Sequence, residues 1–353
     1  MPGFSIGGVA IATNEPPIVV AEIGINHEGS LEVALDMAGA AIDSGVRFIK
    51  HQTHIPDAEM SQEARDIKPG NADQSIYDVI DRCSLSESDE YALKEYVESR
   101  GAIFFSTPFS REAADRLASW DVPLYKIGSG ECNNYPLVEH VAGMGKPVIL
   151  STGMNTLASI SQSVAILEAA GVPYALLHTT NLYPTPHHLL RLGGVTDLID
   201  SFPEAVVGLS DHSTSNSACV ASVALGARIL ERHFTDRTDR PGPDIVCSMT
   251  PEDARNLIRD SQEVFLASGG NREPASEEDV TIAFAFASVV ATTHLAPGDI
   301  LGPDNIWVKR PSGGDFSPGQ LTDLYGAKVL SDVRENTQLR ADSLEGFPKE
   351  RRS

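Results

Sequence analysis

Eight short apolar runs in this 353-residue chain each end in polar residues able to do chemistry. They read PIVVAEIG (17–24), FIKHQT (48–53), AIFFSTP (102–108), LYKIGSGE (124–131), PVILSTG (147–153), YALLHTT (174–180), AVVGLSDH (205–212) and ARILERHFT (227–235). Helical patterns separate most of them. Strands alternating with helices predict a parallel sheet, and eight such units predict a closed (β/α)8 TIM barrel. In that fold the strand C-terminal ends share one mouth. Glu22, Lys50, Lys126, Glu131, His212 and His233 are therefore expected to converge there.

One barrel takes about 250 residues, which leaves room for a small second domain. The reading is a barrel over 1–265, a linker over 266–283, a compact β-rich module over 284–345 and a tail over 346–353. Gly, Pro, Ser and Glu dominate the linker, as in a solvated segment. Residues 30–46 carry apolar residues at helical spacing, with Ser30 as N-cap and Gly45 near the end; residues 84–101 repeat the pattern and stop at Gly101. The segment 54–80 is longer than a usual βα loop, which suits a lid or a substrate wall. The N-terminus, MPGFSIGGVAIAT, has no basic residue before its weakly apolar stretch, and reads as a hairpin plugging the barrel floor rather than a signal peptide.

Formal net charge is −22, and residues 280–353 hold 9 acidic and 8 basic residues, so nearly all the excess acid lies on residues 1–279. Phosphate-rich partners want a basic surface, so nucleic acid and anionic membranes are not expected partners. No run approaches the 18 apolar residues of a membrane span. The four cysteines form no C-x-x-C, which argues against a disulfide framework or zinc knuckle. A cytoplasmic enzyme is the expectation.

Alternate residues of a barrel strand face inward. Lys50 then shares a face with Gln52, Ser210 with His212, and Glu231 with His233. His51 faces the helix shell and reads as a packed, hydrogen-bonded histidine. Glu231 reads equally well as a structural partner for a lysine and as a catalytic group. His212 and His233 end neighbouring strands, opposite Glu22 and near Glu131, which favours a divalent ion; nitrogen and oxygen ligands suit manganese and magnesium alike. The chain has only eight lysines, yet Lys50 and Lys126 take inward positions. Either they neutralise Glu22 or Glu231, or they await an anionic ligand, or one forms a Schiff base. The hydroxyls and amides around them (Thr107, Ser129, Ser151, Asn181 and Ser210) favour the anion. Asn71 in the long loop and Asp244 after His233 read as substrate contacts.

The strings AEIGINHEGS, KHQTHI, PGNADQSIYDVI, YKIGSGECNNYPL, LLHTTNLYPTP, GLSDHS, ILERHFTDRTDRPGPDIVCSM and WVKRPSGGDFSP resemble the bacterial N-acetylneuraminate (sialic acid) synthase family over about residues 15–345. The C-terminal module resembles the SAF (antifreeze-like) domain of that family. One departure is Asn336, in a turn where the SAF module usually has glycine; asparagine tolerates the left-handed conformation.

The resemblance implies a transferase that condenses phosphoenolpyruvate with N-acetylmannosamine, with a divalent metal, usually Mn2+, and with Mg2+ or Co2+ as alternatives. It implies that Lys50, Thr107, Lys126, Ser129, Ser151, Asn181 and Ser210 bind phosphoenolpyruvate, and that His212 and His233 ligate the metal. Gln52, Asn71, Glu131, Tyr183 and Asp244 would face the sugar. Arg310 would reach a sugar in the partner subunit of a domain-swapped homodimer. Among the catalytic candidates, Glu22 would activate water, Glu131 would orient the sugar or the metal-bound water, and Lys126, with Lys50, would offset the phosphoenolpyruvate trianion. The nearest rival is synthesis of a related nonulosonic acid of legionaminic type; a non-catalytic sugar-binding protein is the remote one.

Overall fold

Every predicted run contains a strand in the computed structural model, which describes residues 2–68 and 73–347. An antiparallel hairpin comes first, β1 (Gly3–Ile6) and β2 (Val9–Ala12). Eight parallel strands follow: β3 (Ile18–Glu22), β4 (Phe48–Thr53), β5 (Ile103–Pro108), β6 (Tyr125–Ile127), β7 (Val148–Ser151), β8 (Tyr174–Thr179), β9 (Val206–Asp211) and β10 (Ile229–His233). They close into a barrel in chain order, with β10 paired to β3. Helices cover its outside. Ser30 caps the helix Leu31–Asp43 by accepting the Val33 N–H, and Gly45 lies just past its end at φ 94°. The second predicted helix runs Glu87–Ser99 with Ser86 as its N-cap.

The inner face of the barrel changes character along each strand. Val20 sits two residues before Glu22, Phe48 before Lys50, Phe105 before Thr107, Leu124 before Lys126, Ile149 before Ser151 and Ile229 before Glu231. The apolar member of each pair belongs to one buried cluster, together with Ile6 and Ile11 of the hairpin. Alternation therefore stacks an apolar floor beneath a polar mouth, and the hairpin plugs the floor as expected. Gly208 stands where a side chain would collide with the Ile229 carbonyl, so only glycine fits this inward position on β9. The outward residues, such as Ile49, Phe104, Leu150, Leu176 and Leu209, pack with the helices in a second cluster.

The long segment after β4 is not an open loop. It folds into short helices at Pro56–Glu59 and Gln62–Arg65, then the helix Ile76–Cys83. Asn71 lies outside the described residues.

The chain divides into two compact units, Met1–Gly269 and Gly270–Ser353. The helix Pro251–Ala267 runs two residues beyond the boundary read from the sequence, and a helix forms at Asp279–Ala285 where composition predicts solvated linker. In the second unit β11 (Ser288–Ala291) pairs antiparallel with β12 (Ile306–Lys309) over a core that includes Val289, Leu301, Ile306, Leu324 and Leu339. Asn336 takes φ 62°, the left-handed backbone its turn requires. Among the described residues no helix is long and apolar enough to cross a membrane.

Ile11 is 1% exposed in the floor cluster. Ile11→Ala should therefore cost about 2–5 kcal/mol in urea unfolding. A loss below about 0.5 kcal/mol would show that the hairpin is not part of the core.

Candidate active site

The strand C-terminal ends enclose a cavity of ≈ 330 Å³. Of the residues expected there, Glu22, Lys50, Gln52, Thr107, Lys126, Ser129, Ser151, Asn181, Tyr183, Ser210, His212, His233 and Asp244 all line it. Glu131 does not: it follows Ser129 in a 3-10 turn, and its carboxylate accepts from Asn134 Nδ2 at 2.6 Å. Arg310 is exposed just after β12 in the second unit.

Four charges occupy the deep end. Strand register places Lys50 beside Glu22, and their side chains form a buried ion pair. Lys50 Nζ also lies 3.7 Å from Glu231 Oε1, and Lys126 Nζ lies 3.4 Å from the same oxygen. Ser210 Oγ donates to Glu231 Oε1 at 3.1 Å. Burial lowers the Lys50 pKa to about 7, with the Glu231 carboxylate pulling the other way and Lys126 adding to the drop. Burial would raise Glu231, but Lys126 and Lys50 together outweigh it and hold that pKa below its ordinary value.

Hydroxyls and amides complete the wall. Ser129 Oγ accepts the Gly153 N–H at 3.1 Å. A side chain at position 153 would collide with Asn181 Oδ1, so glycine is needed for this close approach. Among the described residues seven buried side-chain polar atoms lack a hydrogen-bond partner. Of the five on residues lining this one cavity, Glu22 Oε2 is taken by its ion pair with Lys50, which leaves Ser151 Oγ, Asn181 Oδ1, Glu231 Oε2 and His233 Nδ1 unmatched. Such atoms are costly to bury unmatched, and their concentration here marks a place built for a polar ligand.

The histidine corner suits a divalent cation. The rings of His212 and His233 lie 5.4 Å apart, and Tyr183 stacks on His212 at 4.2 Å. Burial lowers the His212 pKa to about 4 and drives that of His233 well below 6.5, so both rings are neutral near pH 7. His212 Nδ1 donates to the Thr180 carbonyl at 3.0 Å, which leaves the Nε2 lone pair available to a cation. The unmatched His233 Nδ1 lies 3.7 Å from Asp244 Oδ2. Burial raises the Asp244 carboxyl to about 6, against the pull of Lys50. Among the described residues no three His, Cys, Asp or Glu side chains form a ready-made metal cage. Two imidazoles with a nearby carboxylate instead make an open corner, where water or substrate would complete the shell.

Some lining residues were not anticipated. Ile25, Ile76, Val79, Ile80 and Phe109 give one wall an apolar surface. Helical spacing over 76–83 signals only Ile76, Val79 and Ile80, and it does not say that this face turns toward the mouth. His54 stacks on Phe109 at 4.3 Å and bonds Gln52 Oε1 at 3.0 Å, which fixes that amide. His51 faces outward as expected. Its Nε2 lies 3.1 Å from His27 Nε2 and its Nδ1 lies 3.1 Å from Glu90 Oε1, in a buried network behind β4.

Comparison with known proteins agrees with this geometry. Residues 37–273 match the NeuB family, and residues 286–345 match the SAF domain. An uncharacterized protein of Methanocaldococcus jannaschii is 35% identical over 98% of this chain and 100% of its own length. An N,N'-diacetyllegionaminic acid synthase of Legionella pneumophila is 31% identical over 93% of this chain and 94% of its own. The crystal structure of an N-acetylneuraminic acid (sialic acid) synthetase from Leptospira borgpetersenii superposes with a TM-score of 0.73 at 27% identity, over 79% of this chain and 95% of that one. With its eight-stranded barrel, its mouth of paired charges and imidazoles, and its appended β-rich unit, this chain belongs to the NeuB family and carries a C-terminal SAF domain.

Proposed function

We propose that this chain condenses phosphoenolpyruvate with an open-chain N-acylated hexose and water, giving a nonulosonic acid and phosphate. One observation carries the reading: two buried lysines stand in a ring of hydroxyl and amide side chains, of which Ser151 Oγ and Asn181 Oδ1 are unmatched. Cations and donors so arranged suit a small polyanion. The names borne by the Legionella and Leptospira relatives support the same reaction class. Engagement of both lysines by carboxylates supports charge binding over imine formation.

In this reading Lys50, Thr107, Lys126, Ser129, Ser151, Asn181 and Ser210 hold phosphoenolpyruvate. A divalent cation bound by His212 and His233, with Mn2+ first and Mg2+ or Co2+ as alternatives, would polarise the sugar aldehyde as a Lewis acid. The enol carbon C3 bonds to the aldehyde carbon, the C=O pair passes to the aldehyde oxygen, which takes up a proton to become a hydroxyl, and positive charge develops at C2. Water adds to C2 while Glu22 takes its proton, and the Glu231 carboxylate, which stands beside both lysines, offsets the positive charge. The tetrahedral intermediate then breaks its C–O bond to phosphate, and Lys126 balances the charge that departs. Gln52, Tyr183 and Asp244 orient the sugar. Asp244, near 6 in its pKa, is suited to exchange a proton with a sugar hydroxyl near neutrality. Glu131 takes part only by exchanging Asn134 for the sugar.

The sequence strings rank N-acetylmannosamine first among the sugars. The comparisons favour instead a 2,4-diacetamido sugar of legionaminic type, since the Legionella relative bears that name at 31% identity. The apolar wall of Ile25, Ile76, Ile80 and Phe109 supports this choice, because acyl and deoxy groups bury more apolar surface than hydroxyls do.

Phosphate release with phosphoenolpyruvate and Mn2+ tests both levels. The diacetamido sugar should exceed N-acetylmannosamine in kcat/KM by about tenfold or more, the scale of a few apolar contacts. Equal or reversed rates would restore N-acetylmannosamine as substrate. No phosphate with either sugar would contradict the synthase reading.

A second prediction follows from Lys50. With a pKa of about 7 it is charged below that pH and neutral above it, so kcat/KM for phosphoenolpyruvate should fall as pH rises through about 7. Lys50→Arg stays cationic throughout. An active Lys50→Arg enzyme should lose that alkaline limb, and an unchanged limb would remove Lys50 as its source.

A further inference from the structure

The alternation that turns His212 and His233 into the barrel turns their neighbours, Asp211 and Arg232, out of it. Asp211 is 0% and Arg232 2% exposed, and they are paired in register across β9 and β10. Arg232 Nε lies 3.8 Å from Asp211 Oδ2. Its other nitrogens reach further. Nη1 donates to Asn216 Oδ1 at 2.6 Å, and Nη2 donates to the carbonyls of Ser213 at 2.6 Å and Cys247 at 3.3 Å. Asp211 in turn accepts the Ser213 N–H at 2.8 Å and the Ser213 hydroxyl at 3.0 Å.

One guanidinium thus grips the segment just after His212 and the turn just after Asp244, while standing beside His233 in sequence. Each candidate ligand of the cation corner sits on a segment that this side chain holds. Ordinary stabilisation is a poor account of the arrangement, because apolar side chains in place of a buried ion pair are often as stable or more so. Arg232 also lies outside the cavity and touches no substrate position.

We propose that Arg232 is a positioning residue that sets the relative placement of His212, His233 and Asp244 for a divalent cation. The inference rests on the metal part of the proposed function, and it concerns cation affinity rather than phosphoenolpyruvate binding. The anion site draws on residues of β4 to β9, most of which Arg232 does not touch.

The test is Mn2+ titration of the full-length, substrate-free protein by electron paramagnetic resonance, with phosphoenolpyruvate affinity measured separately by calorimetry without metal. Arg232→Met should weaken Mn2+ binding by about tenfold or more, the scale of lost outer-shell support. Phosphoenolpyruvate affinity should stay within about twofold, below the about tenfold that 1.4 kcal/mol represents. Asn216→Ala leaves the guanidinium and its ion pair in place, so it serves if Arg232→Met does not fold. It should weaken Mn2+ by about threefold, since it removes one hydrogen bond from Arg232 along with the one Asn216 Nδ2 donates to the Asp253 carbonyl, outside the cation corner. The proposal is overturned if folded Arg232→Met, or Asn216→Ala where Arg232→Met fails to fold, binds Mn2+ as tightly as the unaltered chain. It is equally overturned if both ligands weaken in parallel, which is general loosening. Mn2+ binding that is absent from the unaltered chain, or that survives His233→Ala, would overturn this inference and the metal reading together. The phosphate-release result would stand apart from either outcome.

Discussion

Four buried charges at the barrel mouth, Glu22, Lys50, Glu231 and Lys126, set the terms for everything around them. None can be there alone, because an unpaired ion in this setting costs several kcal/mol. Together they balance, two of each sign, yet burial outweighs the pull of Glu231 and brings Lys50 to a pKa of about 7. The apolar floor beneath them keeps water out and makes each charge count for more. A polyanion entering this cluster favours the ammonium form of Lys50. It also brings surplus negative charge, which a cation at the neutral imidazoles of His212 and His233 would offset.

The same alternation supplies the support for the site. Residues facing the cavity do the proposed chemistry, and their immediate neighbours, facing the helices, hold the strands in place. His51 stands between Lys50 and Gln52 and bonds His27 and Glu90. Thr53, next to Gln52, donates its hydroxyl to Glu90 and lies 2.7 Å from Ser106 Oγ, next to Thr107. Asp211 and Arg232 do the equivalent work beside His212 and His233. The first strand-end loop is tied in as well, since Asn26 Nδ2 donates to Ser248 Oγ at 2.9 Å. Polar groups are expensive in a packing shell, and their position directly behind pocket residues gives them a reason.

The barrel and most of its mouth were legible in the sequence because both follow from periodicity. Eight apolar runs with polar ends suffice to place Glu22, Lys50, Lys126, Ser210, His212 and His233 on one face of one cavity. What periodicity cannot give is the meeting of side chains from distant segments. Glu131 has the right strand end, yet it turns to Asn134, three residues away, because a local hydrogen bond in a tight turn competes with the cavity. Of the three readings of the lysines, pairing, an awaited anion and a Schiff base, the structure shows the pairing, with Glu22 and Glu231, inside a wall of hydroxyls and amides. The apolar wall from Ile76 and Ile80 hides in a segment whose length suggests a loop, and the helix Asp279–Ala285 hides in a composition that suggests a solvated linker. Arg232 was legible only as an outward position; that it reaches Asn216, Ser213 and Cys247 depends on tertiary closure.

The central claim is that water attacks carbon, so that the bond to phosphate breaks at C–O. Running the reaction in ¹⁸O-enriched water and weighing both products by mass spectrometry tests it most directly. The account predicts one label from solvent at C2 of the sugar acid, in product analysed before carbonyl exchange, and none in the released phosphate. Label in the phosphate, with none in the sugar acid, would mean attack at phosphorus, and would contradict the role given to Glu22 and the charge cluster around it.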